Sequence, residues 1–375
     1  MKIEPVLEAE SDIRAVHGGD VEAVARMYGL RPEEILDFSA NINPAGPPPR
    51  VVARLAEAAR DVRLLASYPE PDCRSLREAF AIHASVEPGN VIVANGTAAL
   101  LDITLRALQP KRCLLPIPAF SEYRRAIRAA ACECIPFPLG PEKQFALEPD
   151  AFAAALREKQ CDCCILNNPH NPSGSSIPPE PLLRLLLEAA EQEITVLLDE
   201  AFIEYATELS LTREVASLPN VVALRSITKF YALAGMRVGF AIANARLAKA
   251  LWTQVAAWPV TTLAAIAAAE ALEDVSYAEQ ARSACARERK LLSDALAKTR
   301  IAVWPSAANF LLLKPPTGSL PVGQVCERLL LDHHILVRDC SSYEGLESDR
   351  YIRVAVRDYP ANMKLISALN EIVAS

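Results

Sequence analysis

Short apolar runs alternate with helical patterns from residue 91 onward, and this alternation limits the possible folds more than any other feature. The apolar runs read VIVA, RCLLP, CCILN, ITVLLD, VVALR and RVGFAIA, and helical patterns such as AALLDITLRAL lie between several of them. Continuous apolar runs indicate strands that are covered on both faces, as in a parallel sheet with crossover helices. The sequence therefore predicts an α/β fold with a mostly parallel sheet.

The chain of 375 residues is longer than an average single domain. Pro44 and the proline cluster at 46–49 break the chain, which predicts an N-terminal arm over residues 1–45. A large domain is predicted over 46–262. Alanine-rich helices and then short strands follow, which indicates a smaller α+β domain over 263–375.

Charge and hydropathy argue against several functional classes. The net charge of −7 supplies no basic surface for nucleic acid or anionic lipid. The polar N-terminus MKIEPVLEAESDIR lacks the apolar segment of a secretory signal. The most apolar stretch, 255–272, is interrupted by Trp258, Pro259 and Glu270, so we interpret it as buried helix. We expect a cytoplasmic protein that binds neither nucleic acid nor membrane.

The ten cysteines raise the question of a metal site or disulfides. The groups Cys132-Glu-Cys134 and Cys161-Asp-Cys163-Cys164 lack the paired spacing and the nearby histidines of a zinc site. Their apolar surroundings suit a thiol that acts as a small hydrophobic group. Reduced core thiols and no bound metal are predicted, and a metal site stays open as the weaker alternative.

A carboxylate and a lysine are predicted at the same edge of the sheet. Asp199 ends the strand pattern ITVLLD, and Lys229 follows the next strand pattern, VVALR. Ligands of open α/β sheets bind at the carboxyl ends of the strands. A carboxylate at the end of an apolar strand is partly desolvated and needs a cationic partner, such as a pyridinium nitrogen. The alternatives are a capping role for Asp199 and an ordinary surface charge for Lys229.

Several groups near this edge suit a phosphate dianion. Ser226, Thr228 and Arg237 supply two hydroxyls and a guanidinium within one segment. Gly96 and Thr97 follow the strand VIVA and begin a helical pattern, which would direct free backbone N–H groups at an anion. Such a pair is equally typical of an ordinary helix N-cap. Together with a lysine nucleophile, these groups indicate an anionic Schiff-base cofactor.

Asn171 lies in the segment NNPHNPSG, where prolines and a glycine fix a turn after the strand CCILN. Its side chain could donate a hydrogen bond to a phenolate oxygen. Asn-Pro segments are usually only turns, but this one precedes the strand that carries Asp199. We therefore favour a site over a simple turn.

These motifs resemble, over nearly the whole chain, the fold-type I pyridoxal 5'-phosphate (PLP) enzymes of the class I/II aminotransferase group, which includes histidinol-phosphate aminotransferase. The resemblance implies the PLP-dependent transferase fold type I, with a mostly parallel seven-stranded sheet in the large domain and a smaller α+β domain. It implies that Lys229 is the catalytic Schiff-base lysine and that Asp199 pairs with the pyridine nitrogen. The other implied cofactor ligands are Asn171 at the phenolic oxygen, Phe120 on the ring, and Ser226, Thr228, Arg237, Gly96 and Thr97 at the phosphate.

Two further positions bear on assembly and reactivity. Tyr68, in SYPEPDCRSLR, resembles the tyrosine that reaches the phosphate across a dimer interface, so a homodimer is implied. Phe202 departs from the pattern, because many aminotransferases of this fold have a tyrosine three residues after the aspartate. Asn171 alone would then hold the phenolic oxygen.

Within the group, four segments resemble the threonine-phosphate decarboxylases of cobalamin biosynthesis: HGGD before LDFSANINPAG, then PAFSEY, DEAFIEY, and RDCSSYEGL with YIRVAVR. The resemblance implies decarboxylation of O-phospho-L-threonine to (R)-1-aminopropan-2-yl phosphate, with release of CO₂. The phenylalanine at 202 also resembles the decarboxylases. One alternative is a PLP-dependent transaminase such as histidinol-phosphate aminotransferase, and another is a non-catalytic binding module of the same fold.

A phosphorylated amino acid has two anions, and the chain offers candidate ligands for both. Arg353, in YIRVAVR, resembles the family arginine that binds a substrate carboxylate, and Arg338 is a second guanidinium close to it in the predicted small domain. His17 and Asn41 are candidates from the N-terminal arm. The alternatives are ion pairs for the arginines and an ordinary turn for His17.

Overall fold

The computed structural model describes residues 18–374. The described chain forms two compact units. The large unit comprises residues 42–287 and 305–309, and the small unit comprises 18–41, 288–304 and 310–374. One change of unit, at 287/288, falls inside the helix Val275–Leu296. The domain limits at 45/46 and 262/263 stay predictions.

Helices and strands alternate along the chain. The helices are α1 (Val21–Tyr28), α2 (Pro49–Ala58), α3 (Val62–Ala66), α4 (Arg74–Ala84), α5 (Gly96–Leu108), α6 (Ser121–Ala129), α7 (Pro149–Glu158), α8 (Pro179–Glu191), α9 (Thr212–Val215), α10 (Ala245–Trp252), α11 (Thr262–Leu272), α12 (Val275–Leu296), α13 (Val322–His333) and α14 (Tyr359–Ala374). The strands are β1 (Leu36–Asp37), β2 (Val91–Ala94), β3 (Arg112–Ile117), β4 (Glu133–Pro138), β5 (Cys163–Asn167), β6 (Thr195–Glu200), β7 (Val221–Arg225), β8 (Gly239–Ile242), β9 (Ala302–Val303), β10 (Phe310–Lys314), β11 (Ile335–Leu336), β12 (Arg338–Asp339) and β13 (Ile352–Ala355).

The large unit contains a seven-stranded sheet in the order β2-β8-β7-β6-β5-β3-β4. Strand β8 runs antiparallel to β2 and β7, and the other pairs are parallel. This arrangement confirms the mostly parallel sheet that the apolar runs predicted. The parallel strands β5, β6 and β7 therefore end at one edge, which brings their last side chains together.

Apolar side chains cover both faces of this sheet. Successive residues of a strand point to opposite faces, and Val196 and Leu198 accordingly lie in one hydrophobic cluster while Leu197 lies in another. The rings of Phe80 on α4 and Phe240 on β8 stack in the first cluster, with centroids 4.0 Å apart. Burial on both faces is the physical reason that the strands read as continuous apolar runs.

The small unit has a four-stranded antiparallel sheet in the order β12-β13-β10-β9. Strand β1 pairs in parallel with β11. A separate core, which includes Phe38, Leu329 and Val354, lies between this sheet and its helices. The unit therefore has its own hydrophobic core, as an α+β domain requires.

Three residues of the HGGD segment have clear structural roles. Asp20 caps α1, because its carboxylate accepts a hydrogen bond from the Ala23 amide at 3.0 Å. Gly19 donates its amide to the Ser39 hydroxyl at 2.8 Å. A Cβ at Gly18 would lie 2.2 Å from the carbonyl oxygen of Ser39, so a side chain does not fit there. The candidate His17 lies outside the described residues.

Among the described residues, no helix is long and apolar enough to cross a bilayer. The ten cysteines are free thiols, and most are buried. Burial raises the pKa of the Cys132 thiol to about 12, which keeps it protonated and unreactive at neutral pH. No group of three or more His, Cys, Asp or Glu side chains within residues 18–374 is placed to hold a metal ion.

A buried ionic cluster anchors the ends of β6 and β7. The Arg225 guanidinium pairs with Glu204 at 2.5 Å and with Glu200 at 3.5 Å, and His83 Nε2 lies 2.9 Å from Glu204. Burial raises the pKa of Glu204, but Arg225 and His83 outweigh burial and hold that pKa well below its usual range. Glu200 directly follows Asp199, and Arg225 directly precedes Ser226, so this cluster fixes the backbone at the sheet edge.

The variant Arg225→Gln should lower the free energy of unfolding by about 3 kcal/mol, because it leaves buried carboxylates without their cation. Denaturant unfolding measures the loss. The matched control is Arg125→Gln, since Arg125 pairs with Asp102 and Glu122 at a partly exposed site. It should cost less than about 1 kcal/mol. Equal losses of unfolding free energy in the two variants would show that the buried cluster stabilises the fold no more than a partly exposed ion pair does.

Candidate active site

Asp199 and Lys229 lie at the same edge of the sheet, as predicted. Asp199 is on β6, its Cα is paired with that of Asn167 on β5, and Lys229 follows the end of β7. The Lys229 Nζ lies 3.4 Å from the Ser226 hydroxyl. Burial lowers the pKa of Lys229, and the negative charge of Asp199 opposes this effect while Arg237 adds to it. A lysine with a lowered pKa is more readily neutral, which a nucleophilic amine requires.

The Asp199 carboxylate is buried, with 6% of the residue exposed. One oxygen, Oδ2, accepts a hydrogen bond from the Tyr123 hydroxyl at 2.7 Å, and Oδ1 accepts one from the Ala201 amide at 2.8 Å. Burial raises the pKa of Asp199, whereas Tyr123, Lys229 and the Ala201 amide lower it. The bond to Ala201 is a local contact of the capping type, but the buried bond to Tyr123 shows that the carboxylate is more than a cap.

Three of the predicted phosphate ligands, Gly96, Thr97 and Arg237, lie together at the start of α5. Gly96 has φ of 81°, and a Cβ there would lie 2.8 Å from Arg237 Nη2. A Cβ at Gly239 would lie 2.9 Å from the Thr97 amide nitrogen, so strand β8 runs directly beside the first turn of the helix. The guanidinium of Arg237 thus lies beside Gly96, the first residue of the helix, and a guanidinium at a helix N-terminus suits an anion.

The other two predicted phosphate ligands, Ser226 and Thr228, follow the end of β7. The Ser226 Oγ and Thr228 Oγ1 atoms are 2.8 Å apart, and both residues are buried. Among the described residues that flank α5, the N-cap Asn95 makes no side-chain capping bond, which leaves the first amides of the helix for another acceptor. Hydroxyls, amides and one guanidinium are the donors that a phosphate monoester requires.

Asn171 is buried in a turn that is fixed from two sides. Its amide donates to the side-chain oxygen of Asn167 at 2.7 Å, and the Asn167 side chain donates to the Asp199 carbonyl at 2.9 Å. The His170 ring nitrogens lie 2.7 Å from the Ser173 hydroxyl and 2.9 Å from the Pro118 carbonyl. Burial lowers the pKa of His170 to about 4, so the ring is neutral at physiological pH.

Three aromatic side chains were singled out in the sequence. Phe120 is half-buried and its ring meets Tyr123 edge-on, with centroids 5.7 Å apart. Phe202 is buried, and its ring centroid is 5.9 Å from Lys229 Nζ, so the lysine faces an apolar ring at this position. Tyr68 is 79% exposed and stacks on Trp258 at 4.4 Å. Its contact with the phosphate of a second subunit, and the homodimer itself, stay predictions.

The substrate candidates Arg338 and Arg353 belong to the small unit and lie directly opposite each other on β12 and β13. Both are more than nine-tenths buried. Arg353 donates to the Ser39 carbonyl at 3.0 Å and to the Tyr343 hydroxyl at 3.4 Å, and the Arg338 guanidinium lies 5.6 Å from the Tyr343 ring. Side chains opposite each other on paired strands share a face, so two positive charges are concentrated there. Asn41 is also buried.

The sequence analysis missed three residues that contact the predicted site: Tyr123, Asn167 and His170. The spacing of Tyr123 from Phe120 by three residues was a usable signal, because such residues lie on one side of a helical turn. Asn167 ends β5 in the same way that Asp199 lies near the end of β6. Nothing in the local sequence indicated the bond from His170 to Pro118.

The chain matches the family model of the class I and II aminotransferases over residues 33–369. It belongs to this family. It is 33% identical, over 96% of its length and 97% of the relative, to threonine-phosphate decarboxylase of Salmonella typhimurium. It is 30% identical to histidinol-phosphate aminotransferase of Methanocaldococcus jannaschii, over 96% of this chain and 95% of that protein.

A solved structure shares the fold. It is histidinol-phosphate aminotransferase from Sinorhizobium meliloti in complex with PLP, with a TM-score of 0.85, 23% identity, and coverage of 100% of this chain and 98% of that one. The predicted fold type I is confirmed, and the protein is a PLP-dependent enzyme of the aminotransferase family. The donor set fits this cofactor, because a buried carboxylate, a partly buried lysine and several anion donors lie at one sheet edge. The roles of the individual residues stay predictions.

Arg237→Ala should raise the dissociation constant for PLP about tenfold or more, because it removes the guanidinium beside the α5 amides. Equilibrium dialysis of the protein with PLP measures the change. The control is Arg246→Ala, an exposed arginine on α10. It should leave the constant within about twofold of the parent value. Equal PLP affinity in the two variants would remove Arg237 from the phosphate site.

Proposed function

We propose that the protein decarboxylates O-phospho-L-threonine to (R)-1-aminopropan-2-yl phosphate and CO₂, as a step of cobalamin biosynthesis. The observation that carries the proposal is the register of Arg338 with Arg353, which sets two buried guanidinium groups on one sheet face. The proposed substrate carries both a phosphate and a carboxylate. The similarity to the Salmonella typhimurium decarboxylase over almost the whole chain gives independent support.

PLP, when bound, withdraws electrons from the carbon that carries the substrate's amino group, so that a bond to this carbon can break. In this proposal Asp199 holds the ring nitrogen through its buried carboxylate. Asn171 holds the phenolic oxygen, and Phe120 lies on the ring. The group of Ser226, Thr228, Arg237, Gly96 and Thr97 holds the phosphate and so fixes the ring against rotation.

Lys229 supplies the mobile proton. Burial lowers the pKa of its amine, so the protonated form gives up its proton more readily than an exposed lysine does. The overall reaction removes CO₂ from the α-carbon and adds one proton there, with the electrons of the broken C–C bond remaining on that carbon. The Nζ of Lys229 delivers this proton. The apolar ring of Phe202 near Nζ favours the neutral amine once the proton has been given up.

The substrate anions decide which bond breaks. The side chains that hold the substrate carboxylate would decide which bond to the α-carbon is open to this electron withdrawal, and so would select decarboxylation or loss of the α-proton. In this proposal, Arg338 and Arg353 divide the phosphate and the carboxylate between them, and Asn41 is a further ligand. Guanidinium groups suit both anions, because each offers a planar pair of donors.

Transamination is the competing function, and the Methanocaldococcus jannaschii relative favours it. A transaminase requires the same cofactor ligands. It differs in needing an oxo-acid acceptor, so the two functions are separated by their products.

The deciding assay incubates the PLP-loaded protein with O-phospho-L-threonine and follows CO₂ and aminopropanol phosphate. We expect both products without any oxo acid. A parallel incubation of histidinol phosphate with 2-oxoglutarate should form no glutamate. Glutamate formation without CO₂ release would replace the proposal with transamination.

The variants Arg338→Lys and Arg353→Lys should each lower kcat/KM for O-phospho-L-threonine about a hundredfold, because lysine keeps the charge but loses the paired donors. The control is Arg350→Lys, an arginine beside Glu347 near the same strands. It should keep kcat/KM within about threefold of the parent value. If all three variants retain parental kcat/KM, the substrate anions bind elsewhere.

A further inference from the structure

Tyr123 is a buried residue in the first turn of α6, with 3% of its surface exposed. Its hydroxyl donates to Asp199 Oδ2 at 2.7 Å. A hydroxyl that donates to an ionised carboxylate makes a charge-assisted bond, which is about twice as strong as a neutral one. The bond spans 76 positions of the chain and joins the start of α6 to the end of β6. Its role is therefore not explained by local backbone structure.

The same turn carries Phe120. The Tyr123 amide donates to the Phe120 carbonyl at 3.1 Å, and the two rings meet at 87° with centroids 5.7 Å apart. One turn of chain therefore supports two groups assigned to the cofactor ring, the aromatic side chain on its face and the carboxylate at its nitrogen. A shift of this turn would move both.

We propose that Tyr123 is a positioning residue for the cofactor: its hydroxyl keeps the Asp199 carboxylate charged and oriented toward the ring nitrogen, while its ring supports Phe120. This inference rests on the proposed role of Asp199. A carboxylate offers about four acceptor sites. The hydroxyl of Tyr123 and the amide of Ala201 use one site on each oxygen, which leaves acceptor capacity for a pyridinium N–H.

The electrostatics of the site agree with this geometry. Burial raises the pKa of Asp199 and so favours the neutral acid, which could not balance a pyridinium charge. The groups that oppose burial are the Tyr123 hydroxyl, the charge of Lys229 and the Ala201 amide. The charge of Lys229 depends on the protonation of its nitrogen, whereas the bond from Tyr123 does not. Among the groups that oppose burial, the hydroxyl of Tyr123 has the largest effect.

The test is a pH titration of the near-visible absorbance of the PLP-loaded protein, which reports protonation of the nitrogen that Lys229 contributes. A positive charge on the ring nitrogen lowers the proton affinity of the nitrogen that Lys229 contributes. In Tyr123→Phe the carboxylate is less stabilised and takes a larger share of the ring proton. The ring becomes less positive, and the titration midpoint should rise by on the order of half a pH unit.

Four comparisons isolate the effect. Asp199→Asn should raise the midpoint further, by about one pH unit or more. Adding Tyr123→Phe to Asp199→Asn should shift the midpoint by less than about 0.2 unit, because the two groups act through one bond. The control Tyr277→Phe should leave the midpoint unchanged, since the Tyr277 hydroxyl donates to the Gly46 carbonyl. Incorporating 3-fluorotyrosine at 123, a stronger donor, should lower the midpoint and so tests the proposal without deleting the hydroxyl.

The outcomes distinguish the proposed role of Tyr123 from the proposed role of Asp199. A midpoint that moves in Asp199→Asn but in neither Tyr123→Phe nor the fluorotyrosine protein would overturn the role of Tyr123 and leave the proposed function intact. A midpoint that moves in none of these proteins would overturn the assignment of Asp199 as well. A shift in Tyr123→Phe that persists at full size in the double variant would also overturn the proposal, because Tyr123 would then act through another group.

Discussion

The buried charge of Asp199 is the interaction on which the rest of the site depends. A carboxylate removed from water at the end of an apolar strand is stable only with donors and a cation close to it. The structure supplies the Tyr123 hydroxyl, the Ala201 amide and the nearby charge of Lys229. Burial raises the pKa of the acid and lowers the pKa of the amine. The charged form of each group is therefore less stable here than on a surface residue, and each group gains more from a bound partner. Binding of a cationic ring nitrogen would relieve the cost of this burial.

The fold makes such an edge possible. Strands β5, β6 and β7 are parallel, so Asn167, Asp199 and the segment after Arg225 emerge side by side. The cluster of Arg225 with Glu200 and Glu204 holds the backbone behind them. The close passage of β8 beside α5 depends on the missing side chain of Gly239, and the missing side chain of Gly96 leaves room for the Arg237 guanidinium. Packing at the sheet edge therefore holds these side chains in position before a ligand binds, as a preorganised site requires.

The sequence predicted the elements whose signals are local or periodic. Continuous apolar runs predicted the buried strands. The polar residue at the end of ITVLLD indicated Asp199, and the end of VVALR indicated the segment that contains Lys229. The spacing of Tyr123 from Phe120 could have placed it near the site, but its partner Asp199 lies on a strand 76 positions away, and no local pattern encodes that bond. The opposition of Arg338 and Arg353 was unpredictable for a similar reason, since the register of an antiparallel pair decides it. The three described residues of the HGGD segment also show that a motif noted for its resemblance can have roles in capping and close packing.

Mass spectrometry of the borohydride-reduced protein tests the central claim most directly. The protein is supplemented with PLP, reduced and digested, and the peptides are sequenced. The account predicts one stable PLP adduct, located on Lys229 and absent from Lys229→Ala. A colourless protein with no adduct, or an adduct on a different lysine that persists in Lys229→Ala, would contradict the assignment of this sheet edge as the active site.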